Sequence, residues 1–167
     1  GYINKNIVAA LQSNGCNAIG LCGADADIIR AHKRFNAAHE YGYVGDVDKV
    51  DAEKLSAFLD AGQQIIIAPI THDGKGQLLN TNADTIAQEI AKAMSELYQV
   101  VLVYCFEKAG VLMDADDEGT LIPAINQVTF EQLKQEKKIF AGMIPKLENA
   151  FKALDAGVEK VVIGKAE

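Results

Sequence analysis

The chain reads as an α/β fold with a parallel sheet covered by helices on both faces. Two observations predict this. The apolar runs Gln64-Ile65-Ile66-Ile67-Ala68-Pro69-Ile70 and Val100-Val101-Leu102-Val103-Tyr104-Cys105 have the length and β-branched content of buried strands. Between and after them come segments with helical spacing, so strands and helices alternate as βαβ units do.

The elements follow in order. Asn17-Ala18-Ile19-Gly20-Leu21-Cys22 is a strand that ends at Gly23. Ile28-Ile29-Arg30-Ala31 and Tyr41-Gly42-Tyr43-Val44-Gly45 are short, half-exposed strands with glycine punctuation, as in a hairpin. Asp51 to Ala61 is a helix with Leu55, Phe58 and Leu59 on one face and Gly62 closing it. The Ile-rich strand leads through the loop His72-Asp73-Gly74-Lys75-Gly76 to a helix from about Ala83 to Leu97, striped by Ile86, Ile90, Ala93, Met94 and Leu97. Beyond the second apolar strand lie an acidic loop, Met113 to Gly119, and a short helix opened by a Thr129/Gln132 capping box. A helix from Gly142 to Ala156, stopped by Gly157, and a strand from Val158 to Ile163 complete the pattern. The stretch between Leu97 and Val100 is the least patterned, so a boundary is expected there, with lobes at 1–98 and 99–167.

Composition narrows the function. Of 167 residues, 49% are hydrophobic and 23% charged, which is enough for a real core in one domain or two small lobes. No apolar run has the length of a membrane span, and the opening residues Gly-Tyr-Ile-Asn-Lys-Asn lack the apolar segment of a signal peptide. A net charge of −7 argues against non-specific nucleic-acid or membrane-surface binding. Cys16, Cys22 and Cys105 form no CxxC or Cys/His cluster and read as free, mostly buried thiols of a reducing cytosol. His32, His39 and His72 have no metal-ligand spacing, so no metal site is expected and they read as surface or hydrogen-bonded residues.

Four segments carry polar groups that need an explanation. Asp114-Ala115-Asp116-Asp117-Glu118-Gly119 begins like a calcium loop, but Ile125 stands where the bidentate Glu belongs, so it reads as a solvated acidic turn. Asp73-Gly74-Lys75-Gly76 lacks the phosphate-loop spacing, although it follows a buried strand, where open sheets bind ligands. Asn80-Thr81-Asn82-Ala83-Asp84 sits at a strand-to-helix junction. Asn82 suits an N-cap and Asp84 the positive helix end, but one cap does not account for Asn80 or Thr81; a helix cap and a polar ligand site both stay open. In Phe140-Ala141-Gly142-Met143-Ile144-Pro145-Lys146, Lys146 lies at the edge of the stripe Met143, Leu147, Ala150, Phe151, Leu154, one turn into a helix where Pro145 is tolerated. It is either a snorkelling surface lysine or, beside a helix N-terminus, a partner for phosphate.

At these residues the sequence resembles the amino acid kinase family. Gly74-x-Gly76-Gln77-Leu78-Leu79-Asn80-Thr81-Asn82-Ala83-Asp84 is similar to the family's acyl-amino-acid motif, and Gly142-Met143-Ile144-Pro145-Lys146 to its nucleotide-side motif. Asn4-Lys5 and Gly20-Leu21-x-Gly23-x-Asp25 fit too, so the likeness runs along essentially the whole chain. The resemblance implies an incomplete open αβα sandwich with a mainly parallel central sheet. In it, residues 1–98 bind the acyl amino acid and residues 99–167 bind ATP, with Mg²⁺ carried by the nucleotide. It implies ATP-dependent phosphorylation of the side-chain carboxylate of N-acetyl-L-glutamate to an acyl phosphate, in arginine biosynthesis, by a cytoplasmic homodimer with its opening helix near the interface. By the same resemblance Asn80 and Asn82 bind substrate and Asp84 orients the catalytic lysines. Lys146 neutralises the transferring phosphoryl group, and Gly110, Gly142 and Met143 contact the nucleotide. N-succinylglutamate, another carboxylate or carbamate, and a non-catalytic ligand-binding role are the alternatives.

Departures from the family pattern set further expectations. The family's first strand with its lysine-bearing Gly-rich loop, a second Gly-rich loop, a substrate-binding arginine and a last C-terminal strand have no counterpart between Gly1 and Glu167. A fragment lacking about a third of the family's chain is expected, unable to turn over alone. Phe106-Glu107-Lys108-Ala109-Gly110 replaces an Asp-Val-x-Gly, with Phe106 in the acidic position.

Overall fold

The computed structural model describes residues 1–114, 116–139 and 141–166, and the chain divides into two units, Gly1–Met94 and Ser95–Glu167. Ala115 of the acidic loop, Phe140 of the segment before Lys146, and Glu167 lie outside the described residues.

In the first unit, helix α1 (Tyr2–Ser13) packs on a parallel pair, β1 (Ala18–Cys22) and β4 (Gln64–Ala68), whose register runs from Ala18 opposite Gln64 to Cys22 opposite Ala68. Asn4 anchors the helix. Its buried amide donates to Ile66 O at 2.8 Å and stands 3.5 Å from Leu21 O, and Lys5 Nζ donates to Gly20 O at 2.5 Å. The helix comes this close because position 20 has no side chain: a Cβ there would fall on the Asn4 side chain.

The other strands of this unit form a four-stranded sheet. Its order is β3-β2-β5-β6, built from β2 (Ile29–Lys33), β3 (Gly45–Val50), β5 (Ile70–His72) and β6 (Leu78–Asn80). The β2–β3 and β5–β6 pairs are antiparallel, while β2 meets β5 in parallel at Arg30 and His72. The expected hairpin exists, but its second arm is Gly45–Val50 rather than Tyr41–Gly45. Asp46 and Asp48 hide this strand from propensity reasoning, since aspartate is depleted in strands. Across the hairpin they are what pairs: Asp46 takes a fork from Arg34 Nε and Nη2, and Asp48 lies 2.6 Å from His32 Nδ1.

Helix α2 (Ala52–Asp60) starts where Asp51 accepts the Lys54 N–H at 3.1 Å. It ends in a left-handed Gly62, φ 73°, with Gln63 N–H returning to Phe58 O. Helix α3 spans Ala83–Met94 and packs against α2 and β3. It stops short of Leu97, which is exposed, because the backbone turns after Met94. Ile28, Ile29, Leu55, Leu79 and Ile86 form the sealed centre of this unit.

The second unit carries the other parallel pair, β7 (Val101–Cys105) and β8 (Lys160–Gly164), in register from Val101 opposite Lys160 to Cys105 opposite Gly164. Helices α4 (Gln127–Gln135) and α5 (Ile144–Asp155) pack together, with Phe130 and Phe151 rings 5.4 Å apart. Lys134 Nζ meets Glu148 Oε1 at 2.6 Å, and that carboxylate holds the lysine above its ordinary pKa. Val111, Phe130, Ile139, Met143 and Leu147 are the core.

Three expectations are corrected here. Asn126, not Thr129, caps α4: its side chain accepts the Thr129 N–H at 2.8 Å, so Thr129 is the third helical residue and its pairing with Gln132 is no capping box. Residues Ala141–Met143 form a 3₁₀ turn ahead of α5, so Gly142 lies outside the α-helix. On β7 the side chains alternate between buried and exposed, which leaves Val101, Val103 and Cys105 open to solvent on one face.

Candidate active site

The β6–α3 junction resolves its four polar residues into different jobs. Asn82 is the helix cap: its Oδ1 accepts the Thr85 N–H at 3.1 Å and its carbonyl accepts the Ile86 N–H at 3.0 Å. Thr81 turns inward. It is buried, its hydroxyl donating to Gly45 O at 3.1 Å and lying 2.9 Å from the Thr71 hydroxyl. Asn80 ends β6 with its backbone N–H on Tyr43 O at 2.7 Å, while its side chain is exposed and makes no hydrogen bond among the described residues. Asp84 is half-buried in the first turn of α3, where the helix's positive end favours a carboxylate. Capping therefore accounts for Asn82, packing for Thr81, and neither for Asn80.

The loop Asp73–Gly76 is the turn of the β5–β6 hairpin and not a phosphate cradle. Asp73 Oδ1 takes the N–H groups of Lys75 and Gln77 at 2.7 and 3.1 Å, and His72 Nδ1 takes that of Gly74 at 3.2 Å. A carboxylate thus occupies the donors that an anion would need, and those same donors, Lys75 N–H first, hold Asp73 below the ordinary carboxylate range. Arg30, whose guanidinium lies beside Gly74, forks onto Asp27 at 2.8 and 2.7 Å and lowers that carboxyl's pKa. The buried Nε2 of His72 stands 2.9 Å from Asp27 Oδ1 and adds, after Arg30, to the lowering of that carboxyl.

In the second unit two of the residues that the resemblance assigns to the nucleotide, Gly110 and Met143, come together beyond the carboxyl end of β7. Gly110 and Met143, both buried, line one cavity of about 230 Å³ with Phe106, Glu107, Lys108, Leu112 and Asp116. Gly110 has to be glycine: a Cβ would approach Leu121 Cδ1 to 2.8 Å and Ile163 O to 3.2 Å. Gly142 is exposed and does not line this cavity. Lys146 is the third residue of α5, within its first turn, half-buried, with Nζ 4.8 Å from the Tyr104 ring centre and 5.8 Å from that of Phe106. Both are cation–π distances, so Lys146 is seated and not simply snorkelling. Sequence reasoning pairs neither ring with Lys146. A signal lies in their spacing, since residues two apart on a strand share a face.

In the acidic loop, Asp114 Oδ1 accepts the Asp116 N–H at 3.0 Å and Asp117 Oδ1 the Gly119 N–H at 2.8 Å, which are ordinary turn contacts.

The profile of the amino acid kinase family matches residues 1–165. The acetylglutamate kinase of Bacteroides thetaiotaomicron is 56% identical over 163 residues, covering 98% of this chain and 63% of that protein. The chain thus spans less than two thirds of that curated relative. Among solved structures, smu.665 of Streptococcus mutans UA159 superposes with a TM-score of 0.80 at 31% identity over 96% of this chain and 62% of that one. N-acetylglutamate synthase from Neisseria gonorrhoeae, complexed with coenzyme A and N-acetyl-glutamate, superposes at 0.83 with 21% identity over 99% of this chain and 36% of that one, a likeness of fold alone.

Proposed function

The chain belongs to the amino acid kinase family, and from that premise we propose that it is the larger part of an ATP-dependent kinase for the side-chain carboxylate of N-acetyl-L-glutamate, acting in arginine biosynthesis. The observation that carries the reading is 56% identity across 98% of the chain to a protein named acetylglutamate kinase. The reaction is one displacement. A carboxylate oxygen attacks the γ-phosphorus of ATP, the new O–P bond forms as the bond to the β-phosphate oxygen breaks, and ADP leaves with that electron pair. Mg²⁺ arrives with ATP as part of the substrate, and positioning and charge stabilisation supply most of the rate.

Residues divide by unit. In the first, which binds the acyl amino acid, Asn80 offers an exposed amide to the substrate's amino-acid end, with Asn82 beside it. Asp84 supplies the carboxylate that orients the site's cationic groups. In the second, which binds the nucleotide, Lys146 neutralises the transferring phosphoryl group, and Gly110, Gly142 and Met143 contact ATP. The cavity that Gly110 and Met143 share supports this half, and Gly142 has the weaker support. Exposed Tyr2, Ile3 and Ile7 on α1 support a homodimer through that helix, and free thiols suit the cytoplasm.

The test is ADP release by the full-length protein with MgATP and, in parallel arms, N-acetyl- and N-succinyl-L-glutamate. Turnover with the acetyl compound is expected. Faster turnover with the succinyl compound moves the substrate, and binding without turnover in either arm replaces the kinase with a ligand-binding domain.

A further inference from the structure

We infer that Tyr104 and Phe106 are positioning residues that seat the Lys146 ammonium between two ring faces beside the candidate nucleotide cavity. The inference rests on the proposed role of Lys146 and deepens it.

Three observations carry it. The first is the double contact, 4.8 Å to the Tyr104 ring and 5.8 Å to that of Phe106, both inside the range of about 6 Å where a ring quadrupole attracts a cation. The second is rigidity. Tyr104 is buried on the inward face of β7, and the ladder runs on past the strand end, with Phe106 N–H on Gly164 O at 2.8 Å. Phe106 also packs on the core of Val111, Phe130, Ile139, Met143 and Leu147. Neither ring is free to follow the lysine; the lysine has to follow the rings. The third is location, because Phe106 lines the same cavity as Gly110 and Met143.

A ring face attracts a cation through its quadrupole and takes no proton from it. A flexible four-carbon stem, which would otherwise sample many rotamers, is thereby held against the two rings.

The test uses the full-length protein labelled with ¹³Cε-lysine, with the Lys146 signal assigned by its disappearance in Lys146→Arg. The seat predicts an upfield ring-current shift of the Lys146 ε-methylene protons. That shift is abolished in Phe106→Leu and Tyr104→Leu and kept in the ring-retaining Phe106→Tyr and Tyr104→Phe. The leucine variants are expected to fall roughly tenfold in kcat, as removing a cation–π attraction from the transition state implies, with a smaller change in KM for ATP. The ring-retaining variants are expected to recover most of that activity. If Tyr104→Leu fails to fold, half-buried Phe106→Leu carries the comparison. An unshifted Lys146 signal in the unmutated protein, or a shift that survives in Phe106→Leu, overturns the seat. An abolished shift with unchanged kcat overturns the positioning role. If Lys146→Ala leaves kcat unchanged while the shift is present, the catalytic reading of Lys146 has failed and the seat stands as a structural contact.

Discussion

The hydroxyls of Thr71 and Thr81 lie 2.9 Å apart, sealed from solvent between β5 and the start of α3. Each hydroxyl also has a carbonyl within reach, Gly45 O at 3.1 Å from Thr81 and Leu79 O at 3.5 Å from Thr71. Gly45 closes the network, because a Cβ there would sit 2.8 Å from Leu79 Cβ and 2.9 Å from Thr81 Oγ1. Thr81→Val should destabilise the protein by about 1–3 kcal/mol in urea unfolding, since it removes a buried hydroxyl that both the Gly45 carbonyl and the Thr71 hydroxyl use as a partner. A loss smaller than a few tenths would show that the network contributes nothing net.

Neighbouring asparagines are expected to separate stability from binding. Asn82→Ala removes the α3 cap and should cost about 1 kcal/mol. Asn80→Ala removes an exposed side chain and should stay within about 0.5 kcal/mol of the parent, yet raise KM for N-acetyl-L-glutamate about tenfold or more, as loss of a substrate hydrogen bond does. Denaturant midpoints and initial rates on both variants check the pair. An Asn80→Ala enzyme with unchanged KM removes that residue from the site.

Asp51 should give α2 a pH-dependent start. The Lys54 N–H, and then the Lys54 side chain, hold its carboxyl below the ordinary aspartate value. A depressed folded pKa means that the stabilisation is whole above the unfolded value of about 3.9 and fades as pH falls through the lower folded one. Asp51→Ala should therefore be less stable by about 1 kcal/mol at pH 7, with the gap narrowing in strong acid. Asp51→Asn keeps a cap without the charge and should show a flatter profile. Urea midpoints from pH 7 downward decide it.

For Lys146→Ala, loss of a charge interaction made in the transition state should cut kcat by roughly a hundredfold or more and leave KM for ATP changed far less. A rise in KM alone would assign Lys146 to ground-state nucleotide binding.

Much of this architecture is legible in sequence, and the failures have physical causes. Period and glycine punctuation locate α2, β7, α5 and β8 to within a few residues, because burial on one face leaves a regular trace. β3 escapes because its aspartates are stabilised by partners on another strand, which local propensity does not contain. The Gly74 loop looks like a ligand loop until Asp73 is seen holding its N–H groups. Thr81 looks functional because a buried hydroxyl and a ligand-binding one have the same letter. The aromatic contacts of Lys146 depend on α5 lying against the end of β7, a tertiary fact that no window on either segment records.

Gly20 and Asn4 bear on how this chain can vary. Since a Cβ at position 20 would occupy the space of the Asn4 side chain, and that side chain holds Ile66 on the neighbouring strand, the two positions are one unit of inheritance. Enlarging residue 20 displaces the amide that ties helix to sheet, and shrinking residue 4 leaves both a void and an unmet carbonyl. Drift at either site alone is closed, so their histories should be correlated in any lineage that keeps this helix against these strands.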